Sequence, residues 1–587
     1  MMYYLDILSD IIGDAFEKAG FSKEYGKVSE SNRPDLCEFQ CNGALACAKQ
    51  AKMNPMDIVE KVLAEVDRAA FVQLEGVRPG FINMSVSEEH LTGYLNQIKD
   101  DAKFGLKEVE NPKTIVIDYG GPNAAKPLHV GHLRPAIIGE SIKRLERFAG
   151  HKVIGDVHLG DWGMPMGLII AELSIRHPEW IYFDENFEGE YPAESPVSIR
   201  ELEEIYPFAS AKSKEDEEFK KLALKCTKEL QEGRKGYRAL WEKMIDVSVA
   251  DLKVNYQNLN VEFDLWYGEA NSDKYIPDMV QKMKDDGYAY ISNGALVVDV
   301  KKDDDKKEMP PCIILKSDGA SLYETTDLAT IVQRVEDYNP DSILYVVDKR
   351  QELHFEQVFR CARKTKLVGD DTELKFIGFG TMNGKDGKPF KTRDGQVMRL
   401  KDLFDNVVGS MKEKISQNED LSTEQADSIA NMVGLAAIKF GDLSNQASKD
   451  YIFDIDRFTS FEGKTGPYIL YTMVRIKSIL ARYGKSTDEI KNFELVPAKL
   501  SSEKQLMLQL SKFNAAMESA AAEYAPHKVC GYMYDLTNCF NSFYHEKRIL
   551  DETDEKYQQG LIAMSYMTYD MLSRCVDILG FDVPEKM

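Results

Sequence analysis

The stretch TIVIDYGGPNAAKPLHVGHLR, residues 114–134, contains the strongest indication of the fold. Its first five residues are an apolar run typical of a buried β-strand, and a turn rich in Gly, Pro and Asn follows. His129 and His132 then stand three residues apart where a helix is expected to begin. The first N–H groups of a helix lack partners and its dipole favours anions, while imidazoles supply further donors. The pattern therefore predicts a phosphate-binding site, and Gly131 would let a ligand approach the backbone closely.

Further strand patterns indicate that this stretch belongs to a larger parallel sheet. KVIGDVHLGDWG, residues 152–163, predicts the next strand and a glycine-rich loop, so that strand, helix and strand alternate. Residues 183–260 become charged and helical, and we expect them to form an insertion in the sheet domain. GALVVDV, CIILK and ILYVV, within residues 294–347, then predict the later strands of a doubly wound sheet.

Periodicity divides the chain into three expected domains. Residues 1–107 combine early helical periodicity with the turn and strand VRPGFINMSVS, as in a small α+β domain. Residues 108–404 contain the sheet patterns and the helical insertion. Residues 405–587 lack strand patterns and consist of amphipathic helical segments, which predicts an all-α terminal domain.

The overall charge bears on the class of partner. The chain has 587 residues and a formal net charge of −23, which by itself argues against nucleic acid, because that binding depends on Lys and Arg neutralising phosphates. Local basic patches and helix N-termini can still hold an RNA on an acidic protein. If RNA is the partner, we expect a patchy and strongly salt-sensitive interface.

Cysteine use and hydropathy indicate a cytoplasmic enzyme. The nine cysteines form no CxxC pair, so we expect reduced thiols and no metal site. No apolar run reaches the eighteen or more residues that a membrane span needs. The N-terminal segment MMYYLDILSDIIGDAFEKAG has helical spacing and lacks the basic start of a signal peptide.

Read as a unit, PNAAKPLHVGH resembles the HIGH signature of class I aminoacyl-tRNA synthetases, and its extended form PNxAKPxHxGHLR resembles the arginyl-tRNA synthetase family. HLGDWG, YETTDLA and GKPFKTRDG also resemble that family. The resemblance implies a class I Rossmann-type parallel-sheet catalytic domain with a helical insertion, between a small α+β N-terminal domain and an all-α anticodon-binding domain. It further implies ATP-dependent ligation of L-arginine to tRNA(Arg) through an arginyl-adenylate, in a first step that requires bound tRNA.

By resemblance, His129, His132 and Gly131 bind the phosphates of ATP, which arrives with Mg²⁺. The segment GTMNGKDGKPFKTRDG, residues 380–395, is similar to the mobile KMSKS loop of class I enzymes, but Pro389 and Thr392 stand where that loop has lysines. The resemblance suggests Lys126 as the replacement cation. The alternatives within the loop are Lys388, Lys391 and Arg393.

The family's amino-acid pocket maps onto five residues: Asp118, Asn123, Tyr323, Asp327 and Gln351. A guanidinium is a planar fork of donors, so its pocket needs carboxylates, which Asp118 and Asp327 supply, and a stacking face or hydroxyl, which Tyr323 supplies. Asn123 and Gln351 would bind the α-amino and carboxylate end. Taken singly, Asp327 could equally be a helix N-cap and Tyr323 a core residue, and the joint spacing favours the pocket.

The resemblance extends to the tRNA-binding parts of the chain. GFIN in the first domain and TGPYILYTMVR in the last imply tRNA contacts at Phe81, Asn83, Tyr468 and Arg475. The N-terminal domain would contact the outer corner of the tRNA, and the enzyme would be a monomer. Three alternatives remain: a class I synthetase for another amino acid, a different adenylate-forming or nucleotidyl-transferring enzyme, and an inactive RNA-binding paralogue.

Overall fold

The computed structural model describes residues 2–388, 398–417 and 421–587. The chain forms two compact units. The first comprises Met1–Val109, Ser460–Ile578 and Asp582–Met587, and the second comprises Glu110–Thr459 with Leu579–Phe581.

The N-terminal part of the first unit is a four-stranded antiparallel sheet with the order β1-β2-β4-β3 and four helices. Asn54 caps α3 by accepting a hydrogen bond from the Met56 N–H, and Ser87 caps α4 in the same way through the His90 N–H. The elements are α1 (Tyr4–Lys18), β1 (Val28–Glu30), β2 (Phe39–Cys41), α2 (Gly43–Ala51), α3 (Pro55–Glu65), β3 (Phe71–Val77), β4 (Phe81–Val86) and α4 (Glu88–Ile98).

The second unit is built on a four-stranded parallel sheet. Its strands are β5 (Thr114–Asp118), β6 (Lys152–Asp156), β10 (Ser342–Asp348) and β11 (Glu373–Phe379), in the order β11-β10-β5-β6. From β5 the chain continues to β6 on one side of the sheet, and from β10 it continues to β11 on the other side. The strand order therefore reverses between β5 and β10. Ligands of open parallel sheets bind beyond the carboxyl ends of the strands at such a switch point.

The expected strands in GALVVDV and CIILK exist, but their assignment to the parallel sheet is wrong. They are β8 (Ala295–Val298) and β9 (Cys312–Leu315), which form a separate antiparallel sheet with β7 (Ala289–Ser292). Asn293 and Gly294 join β7 to β8, and both have positive φ, 49° and 83°. This two-residue Asn-Gly turn matches the twist of an antiparallel hairpin, so it fixes the pairing locally.

Helices surround the parallel sheet. The insertion expected at residues 183–260 contains α7, α8 and α9. The helices of this region are α5 (Leu133–Ala149), α6 (Met164–Arg176), α7 (Ile199–Glu215), α8 (Glu217–Gln231), α9 (Lys235–Asn258), α10 (Glu269–Ser272), α11 (Ile276–Asp285), α12 (Tyr323–Tyr338) and α13 (Glu352–Lys364).

The expected domain boundary at residue 404 falls inside α14 (Leu400–Ile415), and the second compact unit continues to Thr459. A short parallel pair also lies in this region, β12 (Met382–Asn383) with β13 (Tyr451–Ile452), so one strand occurs beyond residue 405 where none was expected. The remaining helices here are α15 (Thr423–Leu443) and α16 (Ile455–Phe458).

The C-terminal part of the first unit is helical. Thr465 caps its first helix by accepting from the Tyr468 N–H, and Pro467 occupies the first turn, where no N–H is needed. The helices are α17 (Gly466–Tyr483), α18 (Thr487–Lys491), α19 (Ser501–Leu510), α20 (Phe513–Ala522), α21 (Pro526–Glu546) and α22 (Glu555–Leu579). Among the described residues, no helix combines the length and apolarity required to cross a membrane.

Candidate active site

The histidine segment begins α5 through one turn of 3₁₀ helix, Val130–His132. The N–H of Gly131 donates to Nδ1 of His129 at 3.0 Å, and the N–H of His129 donates to Nδ1 of His132 at 3.1 Å. Because both Nδ1 atoms accept hydrogen bonds, each neutral ring carries its proton on Nε2. The two rings lie side by side, with centroids 4.0 Å apart. The segment thus presents two fixed N–H donors at the start of a 17-residue helix.

Both imidazoles are held neutral. Partial burial and the nearby Lys126 ammonium lower the pKa of His129. Burial, the His129 ring and Lys126 lower the pKa of His132 to about 3. The rings therefore act at neutral pH as hydrogen-bond donors and not as cations, and Lys126 is the nearby positive charge.

Gly131 leaves room for the His129 ring. A Cβ atom there would lie 2.8 Å from Cε1 of the His129 ring, so any other residue would displace the imidazole. Lys126 is half-buried, and its Nζ lies 4.3 Å from the centroid of the Tyr206 ring on α7.

The loop that resembles KMSKS is attached to the histidine segment at both ends. On its N-terminal side, Arg134 of α5 donates through Nη1 to the Gly380 carbonyl at 2.6 Å. On its C-terminal side, the N–H of Val130 donates to the Met398 carbonyl at 3.0 Å. Lys388 is exposed, in a turn where its carbonyl accepts from the Gly384 N–H at 2.8 Å. Two of the expected phosphate contacts, Lys391 and Arg393, lie outside the described residues.

Asp118 lies at the carboxyl end of β5 and is buried, with 7% of its surface exposed. Its Oδ2 accepts from Nη2 of Arg334 at 2.7 Å, and the same nitrogen donates to Oδ2 of Asp156 at 2.7 Å. Arg334 is fully buried on α12. A guanidinium from the protein itself therefore already engages Asp118, which sequence reasoning assigned to the substrate.

Asp327 lies in the second turn of α12 and is not an N-cap. The Nε2 of His354 donates to Oδ2 of Asp327 at 2.5 Å, and Nδ1 of His354 lies 3.7 Å from Oε1 of Glu324. Burial opposes the charge of His354, but the hydrogen bond to Asp327 and the nearby Glu324 carboxylate outweigh it and raise the pKa of His354 to about 9. His354 is therefore a cation that neutralises part of this carboxylate group.

Glu269, at the start of α10, adds a further carboxylate. Partial burial raises the pKa of Glu269 to about 7, with His158 opposing the shift and Asp161 and Asp327 adding to it. Asp161 itself is buried, and burial raises its pKa to about 6 against the hydrogen bond from the Ala270 N–H. Burial is the main cause of both raised pKa values, because a buried carboxylate loses the hydration of its charged form.

The other three expected pocket residues lie on loops and helix ends. Asn123 pairs through its backbone with Gly160 of the HLGDWG loop, where an added Cβ would lie 2.6 Å from the Asn123 Oδ1. Tyr323 is the first residue of α12 and is 71% exposed, so it is not a core residue. Gln351 is exposed immediately before α13, beyond the end of β10.

Sequence reasoning missed several charged residues of this region. Glu324 is next to Tyr323 in the sequence, and His354 follows Gln351 by three residues. Each of these two therefore lies beside a residue that was predicted for the pocket. Arg334 and Glu269 had no comparable signal, because their partners are distant in sequence. The missed residues are Asp156, Asp161, Glu269, Glu324, Arg334 and His354.

The four expected tRNA contacts lie in the first unit. Phe81 begins β4 and is half-buried, while Asn83 is buried and accepts from Gln40 Nε2 at 2.8 Å. Tyr468 and Arg475 lie on α17. Both bond to Asn541 of α21, which donates to the Tyr468 hydroxyl at 3.0 Å and accepts from Arg475 Nη1 at 2.7 Å.

A protein metal site was not expected. In the described part of the chain, no group of three or more His, Cys, Asp or Glu side chains is arranged to hold a metal ion.

Three families match successive parts of the chain. Residues 95–455 match the family described as tRNA synthetases class I (R), catalytic domain. Residues 6–86 match the arginyl tRNA synthetase N terminal domain, and residues 469–587 match the DALR anticodon binding domain.

Relatives of similar length and fold agree with these matches. The chain is 57% identical to the arginine--tRNA ligase of Agathobacter rectalis over 100% of both chains, and 54% identical to that of Alkaliphilus oremlandii over 99% of both. The structure of arginyl-tRNA synthetase from Plasmodium falciparum superposes with a TM-score of 0.80 at 25% identity over 100% of both chains. That from Thermus thermophilus gives 0.77 at 19% identity over 100% of both. The expected fold class is thereby confirmed.

Proposed function

This chain belongs to the arginyl-tRNA synthetase family of class I enzymes and ligates L-arginine to tRNA, and we propose that it does so in two steps at the switch point between β5 and β10. In the first step, a carboxylate oxygen of arginine attacks the α-phosphorus of ATP, forming arginyl-adenylate and releasing pyrophosphate. In the second, a ribose hydroxyl of the terminal adenosine of tRNA(Arg) attacks the arginyl carbonyl and AMP leaves. By resemblance to the family, the first step requires bound tRNA.

The observation that carries this proposal is the excess of carboxylates beside a fixed pair of neutral imidazoles. Six carboxylates lie in this region, and among the described residues only two cations pair with them: Arg334 pairs with two of them and His354 with one, and a fourth lies 3.7 Å from His354. The remaining negative charge suits a cationic amino acid, while the two imidazole N–H groups suit phosphate. The carboxylates are Asp118, Asp156, Asp161, Glu269, Glu324 and Asp327.

His129 and His132 would donate from Nε2 to the phosphates of ATP, with the backbone of Gly131 adjacent. These donors are already oriented by their Nδ1 acceptors, so little reorganisation accompanies the build-up of charge at the α-phosphate. Lys126 would supply the positive charge that the loop lacks at Pro389 and Thr392. ATP would bring Mg²⁺ with it as part of the substrate.

By resemblance to the family, the loop similar to KMSKS would contribute to the ATP site. Gly380 and Met398, on either side of its undescribed part, bond to Arg134 and Val130. By the same resemblance, Lys388, Lys391 and Arg393 would contact the phosphates. We retain all three as phosphate contacts.

The guanidinium of arginine would bind Asp327 and stack on or bond to Tyr323, with Glu269 as a further acceptor. Asn123 and Gln351 would hold the α-amino and carboxylate end. Asp118 would act through Arg334, and the pair would form the buried floor of the pocket. A pocket of this kind leaves carboxylates unpaired with any neutral substrate, which rejects such analogues by factors on the order of 10⁴.

The parts that bind tRNA follow the family matches. Residues 1–107 would contact the outer corner of the tRNA through Phe81 and Asn83. The helices within 405–587 would bind the anticodon region, with Tyr468 and Arg475 near the tRNA. We propose a monomeric, cytoplasmic enzyme.

ATP–pyrophosphate exchange with each of the twenty amino acids, with and without tRNA, tests the function. We expect exchange with arginine alone, and only when tRNA is present. Exchange with another amino acid would contradict the pocket assignment, and no exchange under any condition would favour an inactive RNA-binding protein.

The pocket itself is tested by Asp327→Asn. The KM for arginine should rise roughly a hundredfold, because one charged acceptor is removed, while the KM for ATP changes little. Glu336→Gln, at an exposed position on the same helix, is the control. Equal weakening of arginine and ATP would argue that Asp327 is structural.

A further inference from the structure

Tyr206 is a residue of the helical insertion that reaches the active site. It lies on α7 and is half-buried. The ammonium of Lys126 lies 4.3 Å from the centroid of its ring. At that distance the electron-rich face of the ring attracts the cation.

The contact between Tyr206 and Lys126 is not the only link between helix α7 and the region of the histidine segment. A cavity of about 460 Å³ separates the helix from Pro127 and Leu128, with Glu203 and Glu204 on the α7 side. Oε2 of Glu203 lies 3.3 Å from Nη1 of Arg399, whose backbone pairs with that of His129. Tyr206 is therefore one helical turn from an ion pair that holds α7 to the histidine segment.

The position of the Lys126 ammonium matters for the chemistry proposed above. Its charge acts on both imidazoles, so it lies within electrostatic range of the proposed phosphate donors. A lysine side chain has four rotatable methylenes, and a free ammonium would have to be ordered each time ATP reacts.

We propose that Tyr206 is a positioning residue: its ring holds the Lys126 ammonium beside His129 and His132, where it meets the phosphates of ATP. This inference rests on the proposed role of Lys126. It makes the helical insertion, and not the sheet alone, responsible for the geometry of the step that releases pyrophosphate.

Replacement of the ring separates this role from a general packing role. Tyr206→Leu should lower kcat of tRNA-dependent ATP–pyrophosphate exchange roughly two- to fivefold, the factor expected for one partly exposed cation–π contact. Tyr206→Phe keeps the ring face and should retain the wild-type kcat. The KM for arginine should be unchanged in both of these variants.

Phe208 provides the matched control. It is also on α7, is 50% exposed, and has the cations Arg176 and Lys212 over its ring at 5.1 and 5.6 Å, away from Lys126. Phe208→Leu therefore removes an equivalent contact and should leave kcat unchanged. Tyr206→Met provides a second ring-free variant if Tyr206→Leu folds poorly.

The decisive measurement repeats Tyr206→Leu in a Lys126→Met background. If Tyr206 acts through Lys126, the loss in kcat disappears there. The same loss with and without Lys126, a loss in Tyr206→Phe, or a faster Tyr206→Leu enzyme would each overturn the inference. Failure of the proposed function would be seen separately, as absence of arginine exchange by the wild-type enzyme.

Discussion

His354→Gln removes an imidazolium that lies between two carboxylates, so its effect on stability should depend on pH. In the native chain the ring donates to Asp327 at 2.5 Å and lies 3.7 Å from Glu324. Although burial opposes the charge, these contacts raise the pKa of His354 to about 9, whereas an imidazole in an unfolded chain has a pKa of about 6.5. The folded state holds the proton more tightly, and protonation therefore stabilises the fold.

The size of the effect follows from the two pKa values. Since each pKa unit corresponds to about 1.4 kcal/mol, protonated His354 contributes about 3 kcal/mol of stability. Its side chain is 23% exposed and that of Asp327 is 18% exposed, so solvent screening removes only part of this. The folded pKa is the higher one, so the contribution is complete below pH ~6.5 and is lost as the pH rises through about 9.

Urea unfolding followed by tryptophan fluorescence measures this contribution. All four tryptophans lie in the second compact unit, so fluorescence reports the unit that contains His354. We expect His354→Gln to be less stable than the wild-type chain by up to about 3 kcal/mol at pH ~6, and the difference to close by pH ~10.

His177→Gln is the control for that experiment. His177 is in the same unit, with its side chain 38% exposed, 3.6 Å from the exposed Glu179 and stacked on Trp180, so the cost of its replacement should change little with pH. A difference between His354→Gln and wild type that stays constant from pH ~6 to pH ~10 would refute the reasoning, because it would mean that the charge on His354 is not what stabilises the fold.

Three further outcomes are expected. Asp118→Asn should lower the unfolding free energy of the second unit by roughly 3 kcal/mol, because Arg334 loses one of its two buried carboxylates. The same urea assay measures this, and an unchanged stability would show that the pair contributes little. Gly160→Ala should displace the Asn123 side chain and raise the KM for arginine roughly tenfold or more, and an unaffected KM would remove Asn123 from the pocket. His132→Ala should lower kcat of exchange by roughly 10² with little change in the KM for arginine, and a normal kcat would exclude it from the reaction.

Local features of the fold were predictable from the sequence. The strand expected in TIVID is β5, Thr114–Asp118, because a short apolar run followed by a turn has few other solutions. The helix expected at the histidines begins there. The antiparallel pairing was also locally encoded, since Asn293 and Gly294 are the residues that a tight hairpin turn prefers, whereas the strand patterns alone do not distinguish parallel from antiparallel pairing.

Charge pairing inside the site was not predictable in the same way. Arg334 is separated by 216 residues from Asp118 and by 178 from Asp156, so nothing in the spacing connects them. Sequence reasoning could identify Asp118 as a carboxylate at a strand end, but not the guanidinium that it meets. Whether a buried carboxylate faces a substrate or a side chain depends on the tertiary fold, which brings distant strands and helices together.

The arrangement of charge explains how one crevice can receive substrates of opposite sign. The amino acid arrives with a cationic side chain and an anionic carboxylate, and that carboxylate must approach an anionic phosphate. In the proposed site, carboxylates around Asp327 would attract the guanidinium, while His129 and His132, which are kept neutral, would offer directed donors to phosphate. Charged imidazoles would repel the guanidinium and would attract the carboxylates around Asp327. The lowered histidine pKa prevents this, so the carboxylates would stay available to the guanidinium and the imidazoles to phosphate. The positive charge beside the imidazoles, Lys126, then has to be held in place, which is the role that the ring of Tyr206 suits.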